Sequence, residues 1–176
     1  MVRSVTVTVA GGADTRALGA RLAKLLRAGD LIVLSGGLGA GKTTLTQGIG
    51  VGLGVRGAVT SPTFVIARVH PSEVGGPALV HVDAYRLGGS ADVTAEIDGL
   101  DLDASLDESV TVVEWGEGMV EELTEDRLDI AIARDALGPD ALAESATDFA
   151  GDEVRAIRVT GVGARWASVD LDALAG

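Results

Sequence analysis

Four apolar residues, Leu31, Ile32, Val33 and Leu34, run through Ser35 into a loop of Gly36, Gly37, Leu38, Gly39, Ala40 and Gly41. The loop runs on into Lys42, Thr43 and Thr44. Residues 36–43 fit G-x-x-x-x-G-K-[ST], the phosphate-binding loop that joins a buried strand to a helix. Gly36, Gly39 and Gly41 let the backbone curl until successive N–H groups point inward, where side chains would obstruct a phosphate. The helix that follows aims its unsatisfied N–H groups, and the positive end of its dipole, at the same spot. In this pattern Lys42 reaches the β- and γ-phosphates, and the Thr43 hydroxyl takes one position on Mg²⁺. With 25 Gly among 176 residues and only two Lys, about 0.005 matches to the pattern are expected by chance.

The rest of the chain alternates strand and helix patterns. Residues 4–10 alternate polar and apolar and read as a strand, with Val5, Val7 and Val9 on one face. Gly11 and Gly12 are expected to turn the chain, Asp14 or Thr15 to cap a helix bearing Leu18, Leu22, Leu25 and Leu26, and Gly29 to end it. The next helix starts near Lys42 and carries Leu45, Ile49 and Leu53, with Gly48 and Gly52 allowing close packing on the sheet. Pro62 makes residues 60–64 an ordered turn ahead of a strand at 64–69. Further strands are expected at 78–82, 110–113, 128–133 and 154–159. Short helices are expected within 92–106 and near 117–123. Residues 136–152 are acidic, lack any basic residue and read as a mobile loop. The order predicts an α/β fold, a phosphate-loop NTPase-like central sheet with helices on both faces. The domain spans residues 1–160, and 161–176 form a C-terminal tail or helix.

A phosphate loop needs a carboxylate at the far end of a neighbouring strand to hold or orient Mg²⁺. Two strands here end in one: the first in Asp83, the second in Glu114. Ligands in such sheets sit beyond the carboxyl ends of the strands, so both acids reach a triphosphate. Which acid binds metal and which orients water is not readable from the pattern. Arg86 and Arg134 are the cations placed to act on a γ-phosphate in cis, the alternative being an ion pair with one of 26 acids. His81, inside an apolar strand, reads as a core histidine with a hydrogen-bond partner. Trp115 either lies against the nucleotide or fills core. The chain contains no Asn, hence no Asn-Lys-x-Asp reader of guanine, and ATP is preferred over GTP.

Four segments in this order resemble the TsaE (YjeE) family: the loop from Gly36 to Thr44, the turn Ser61-Pro62-Thr63-Phe64, the strand end His81-Val82-Asp83-Ala84-Tyr85-Arg86-Leu87, and Val113-Glu114-Trp115. The resemblance covers roughly residues 4–134. It implies a bacterial ATPase needed for threonylcarbamoyladenosine in tRNAs that read ANN codons. It implies Mg²⁺-ATP in the phosphate loop, with Lys42 and Thr43 on phosphate and metal, and Glu114 as the second metal ligand. Asp83 is then the catalytic or water-orienting acid, Thr15 lies at the adenine edge, and the turn at 61–64 acts as a switch beside the γ-phosphate. The residues expected to contact the nucleotide are Thr15, Gly37, Leu38, Gly39, Ala40, Gly41, Lys42, Thr43, Thr44 and Arg134. The implied partners are the proteins TsaD and TsaB, whose complex ATP turnover resets. The family usually has Asp where this chain has Gly37.

The composition bounds these expectations. The formal charge of −12 repels nucleic-acid phosphate, so direct tight tRNA binding is not expected. Arg16, Arg21, Lys24 and Arg27, read as sharing one helix, form the best basic surface. The absence of Cys excludes disulfides and thiolate chemistry. No apolar run approaches a membrane span, and a cytoplasmic protein is expected. The rival reading is a small-molecule kinase on the same scaffold, which would need an acceptor pocket and usually a basic lid.

Overall fold

A computed structural model describes residues 2–37, 41–57, 59, 67–83, 107–114, 124–134 and 154–176. Seven strands, β1 (Arg3–Ala10), β2 (Leu31–Gly36), β3 (Ala67–His70), β4 (Ala78–Asp83), β5 (Ser109–Glu114), β6 (Arg127–Arg134) and β7 (Val154–Val162), form one sheet. Their order is β1-β7-β6-β2-β5-β4-β3. The middle four, β6, β2, β5 and β4, are parallel. The outer pairings β1/β7, β6/β7 and β3/β4 are antiparallel. Helices α1 (Gly11–Ala23), α2 (Lys42–Leu53) and α3 (Ala164–Ala167) and a 3-10 helix (Leu171–Ala175) complete the described elements. The expected α/β class is the observed one.

Hydropathy explains the layering. Strand β2 is apolar at every position from Leu31 to Leu34 and buried throughout, as a central parallel strand must be. Strand β1 alternates instead, with Val7 and Val9 buried between exposed neighbours. Alternate sheet residues, Ile32, Leu34, Leu79, Val112, Ile130 and Ile157, pack with Leu18, Leu22, Leu45 and Ile49 of α1 and α2 in one core. Leu31, Val33, Val80, Val82 and Val113 are buried on the opposite face.

Several local expectations are corrected. Gly11 and Gly12 turn the chain as expected, but from inside the helix assignment, since they open α1. Gly11 takes the bend at φ +80°, and Asp14, already inside the first turn, accepts a hydrogen bond from the Ala10 N–H at 3.2 Å. The helix ends at Ala23, not Gly29. Arg27 is therefore off the helix, and Arg21 donates to the Leu174 carbonyl at 3.1 Å, so the four basic residues do not share one helix as expected. Gly48 and Gly52 pack on α1 rather than on the sheet. A Cβ at Gly48 would run into the Arg16 carbonyl and lie 2.8 Å from its Cα, and one at Gly52 would lie 2.5 Å from the Ala23 Cβ. The two helices thus meet backbone to backbone. Gly48→Ala is expected to destabilise the protein by about 1–3 kcal/mol through overpacking, read as a drop in the urea midpoint.

The expected strand at 64–69 appears as β3 one residue further on, its positions 64–66 lying outside the described residues. The strand expected at 154–159 runs to Val162. Beyond it Trp166, Leu171 and Leu174 enter the same core. Arg165 ties this segment to the body. Its Nε and Nη2 each donate to the Asp30 carboxylate at 3.2 Å, Nη2 donates to the Leu25 carbonyl at 2.8 Å, and the guanidinium lies 4.3 Å from the Trp166 ring centre. Burial pushes the His70 imidazole below its usual pKa, a bond to the Arg56 carbonyl pulling the other way. No helix among the described residues is long and apolar enough to cross a membrane. The expected turn at 60–64, helices within 92–106 and near 117–123, and acidic loop at 136–152 lie outside the described residues.

Candidate functional site

Topology brings the chemistry to one edge. Strands β2, β4, β5 and β6 all end on the same side, and β7 begins there because it runs antiparallel to β6. Helix α1 also starts there, directly after β1. Strand β2 leads out through α2, while its neighbours β5 and β6 come later in the chain from either side. This is the switch point at which open α/β sheets bind ligands.

The phosphate loop leaves β2 at Gly36 and enters α2 at Lys42. Gly41 precedes the helix at φ +109°, a conformation that favours glycine. The Lys42 ammonium folds back and donates to the carbonyls of Gly36 at 2.8 Å and Gly37 at 3.0 Å. Lys42 is only 7% exposed, so its charge is held inside the loop rather than in solvent. A Cβ at Gly37 would meet nothing within 4 Å. Among the described residues, glycine is therefore not forced there by the space for a Cβ. Leu38, Gly39 and Ala40 lie outside the described residues.

The two strand-end acids arrive side by side. Asp83 pairs in register with Glu114, and Glu114 pairs with Leu34 just before the loop. Glu114 is 2% exposed. The Thr43 hydroxyl, in the first turn of α2, donates to its Oε1 at 3.3 Å. His81 is fully buried beneath this pair, its Nε2 3.5 Å from the same Oε1. Among the described residues neither His81 ring nitrogen has a hydrogen-bond partner, so the expected core histidine is present without the partner expected for it there. Asp83 is half-buried at the lip of the site.

The oxygen donors suit magnesium. A hydroxyl and a carboxylate at a helix N-terminus are hard ligands, and Mg²⁺ characteristically takes one or two protein oxygens and completes its shell with phosphate and water. No group of three or more His, Cys, Asp or Glu that could hold a metal occurs among the described residues.

On the other side of the loop stands the start of α1. Thr15 is buried, and its hydroxyl donates to the Gly11 carbonyl at 3.0 Å. A Cβ at Gly41 would lie 3.9 Å from the Thr15 methyl, and one at Gly12 would lie 3.8 Å from the Thr44 methyl. Thr15, Gly41 and Thr44 thus share one neighbourhood. Arg134 ends β6 at this edge, in register with Arg155 at the start of β7. Arg155 was not foreseen. Its Nη1 lies 2.8 Å from the Cβ position of Gly41, a proximity that no local motif announces because it depends on which strand neighbours β6. Tyr85, Arg86 and Trp115 lie outside the described residues.

A family model described as threonylcarbamoyl adenosine biosynthesis protein TsaE matches residues 9–139. The chain belongs to the TsaE family. A TsaE from Streptomyces coelicolor is 66% identical over 161 residues, 92% of this chain and 99% of that one. A Bacillus subtilis relative is 35% identical over 158 residues, 87% of this chain and 83% of its own. Both are named tRNA threonylcarbamoyladenosine biosynthesis protein TsaE. The crystal structure of Bacillus subtilis YdiB superposes with a TM-score of 0.66 at 30% identity, covering 94% of this chain and 90% of that one. TsaE membership thus rests on both sequence and fold, and the matched span contains every strand-end acid and the whole phosphate loop described above.

Proposed function

We propose that this protein is a Mg²⁺-dependent ATPase that acts in tRNA threonylcarbamoyladenosine synthesis by supporting turnover of the TsaD–TsaB complex. The observation that carries the reading is the apposition of Thr43 and Glu114 at 3.3 Å, beside a phosphate loop and next in register to a second acid. Binding is the work of the loop N–H groups, the α2 dipole and Lys42, which exchanges its own loop carbonyls for phosphate oxygens. Thr43 and Glu114 would hold the metal, which would supply positive charge to offset that of the phosphates. Asp83 orients the attacking water, and Thr15 and Arg134 contact the nucleotide. The relatives' names support the pathway, and the paired oxygen donors beside the loop support the reaction class.

The test is reconstitution with purified TsaD, TsaB, tRNA and threonylcarbamoyl-adenylate. The modified tRNA formed is expected to exceed one equivalent of TsaD only when this protein and ATP are both present. Equal yield without it would contradict the reading.

The protein is expected to reach tRNA only through its partners. Its charge of −12 opposes a polyanion, and Arg27 lies beyond the end of α1 at Ala23 rather than on one helix with Arg16 and Arg21. In a gel-shift titration near physiological salt, no complex with the isolated protein is expected at micromolar concentration. A salt-sensitive complex there would contradict the expectation.

A further inference from the structure

We infer that His81 is a positioning residue, holding the Glu114 carboxylate in the orientation that binds metal. The inference rests on the metal reading of Thr43 and Glu114 given above. His81 and Glu114 share a face of the sheet. Asp83 pairs with Glu114 and His81 with Val112, so His81 lies one step deeper on the same side, directly under the carboxylate. Both groups are removed from water, His81 at 0% and Glu114 at 2% exposure. Beside them on the same face stand Arg68 of β3, in register with His81, and Asp83, in register with Glu114, while Leu79, Val110 and Val112 lie below.

A buried imidazole without a hydrogen-bond partner is costly, and an apolar side chain would fill the same space without that cost. Glu114 Oε1 lies 3.5 Å from its Nε2. That separation is long for a hydrogen bond, and such contacts in empty sites tighten when the ligand arrives. The Thr43 hydroxyl meets the same oxygen from above. When the Thr43 oxygen turns to a metal, its bond to Oε1 is lost. The His81 Nε2–H then remains to hold Oε1, which leaves Oε2 directed at the metal. Partners behind a metal ligand fix its orientation in this way, and removing one typically costs about 10–100-fold in metal affinity.

The experiment compares His81→Leu with His81→Gln, whose amide nitrogen can stand near the position of Nε2. Mn²⁺, in place of Mg²⁺, is titrated into the protein–ADP complex and followed by electron paramagnetic resonance. ADP affinity and melting temperature in EDTA report folding and metal-free binding. The Leu variant is expected to bind Mn²⁺ about tenfold or more weakly with unchanged ADP affinity in EDTA, and the Gln variant to stay within about threefold of wild type. Should the Leu variant not fold, His81→Phe takes its place under the same criteria. Mn²⁺ affinity of the apolar variant within about twofold of wild type would overturn the inference. So would equal loss in both variants, which would mean that ring shape, not the donor, matters. If the wild-type complex itself takes up no Mn²⁺, the Thr43–Glu114 metal reading falls and this inference falls with it.

Discussion

Replacing Lys42 with alanine is expected to weaken ATP binding by about a hundredfold or more, close to 3 kcal/mol. The ammonium already lies within the loop, 2.8 Å from the Gly36 carbonyl and 3.0 Å from that of Gly37. It needs only to exchange those neutral acceptors for phosphate oxygens. Hydrogen bonds to charged groups contribute about 1.5–3 kcal/mol each, and the site is sheltered enough for the charge to count in full. Calorimetric titration checks this, with the unliganded melting temperature as the control for folding. Affinity within about threefold of wild type would remove Lys42 from the phosphate site.

Asp83→Asn and Glu114→Gln are expected to separate hydrolysis from metal binding. Both changes keep side-chain volume and remove a negative charge. Asp83 stands half-buried at the lip, next in register to Glu114. Its loss is expected to leave nucleotide affinity near wild type and to slow hydrolysis by about 10²–10⁴-fold, the usual contribution of a positioned base. Glu114 is buried against Thr43, and its loss is expected to abolish most of the gain in ADP affinity that Mg²⁺ provides. Binding measured with Mg²⁺ and with EDTA, alongside phosphate release, distinguishes the two. Reversed phenotypes would mean that the roles are exchanged.

The parts of the site legible in the sequence are those encoded by contiguous residues. An apolar strand, a glycine loop and Lys-Thr specify Leu31 through Thr44 locally, and a strand that ends in an acid announces Asp83 and Glu114 in the same way. What the pattern did not carry depends on neighbours in space. The grip of α1 on α2 requires Gly48 to face the Arg16 backbone, and nothing in the helical period distinguishes that face from one laid on the sheet. The helix start at Gly11 was hidden because glycine signals a turn, whereas here Asp14 captures the Ala10 N–H from inside the first turn. His81 was legible as core, but its contact with Glu114 follows from the register of β4 on β5. Arg155 approaches Gly41 only because β7 runs antiparallel beside β6. Trp166 enters the core next to Arg165, which reaches back to Asp30, a pairing far apart in sequence.

The central claim is that ATP bound at this edge is cleaved by water, and the fate of the γ-phosphate tests it most directly. The purified protein is incubated with γ-labelled ATP and Mg²⁺, alone and with TsaD and TsaB, and the label is followed. The account predicts that the label appears as free phosphate, that TsaD and TsaB accelerate its release, and that Asp83→Asn suppresses it. Label transferred to a small molecule would contradict the account in favour of a kinase. Label left on ATP under both conditions would contradict hydrolysis altogether.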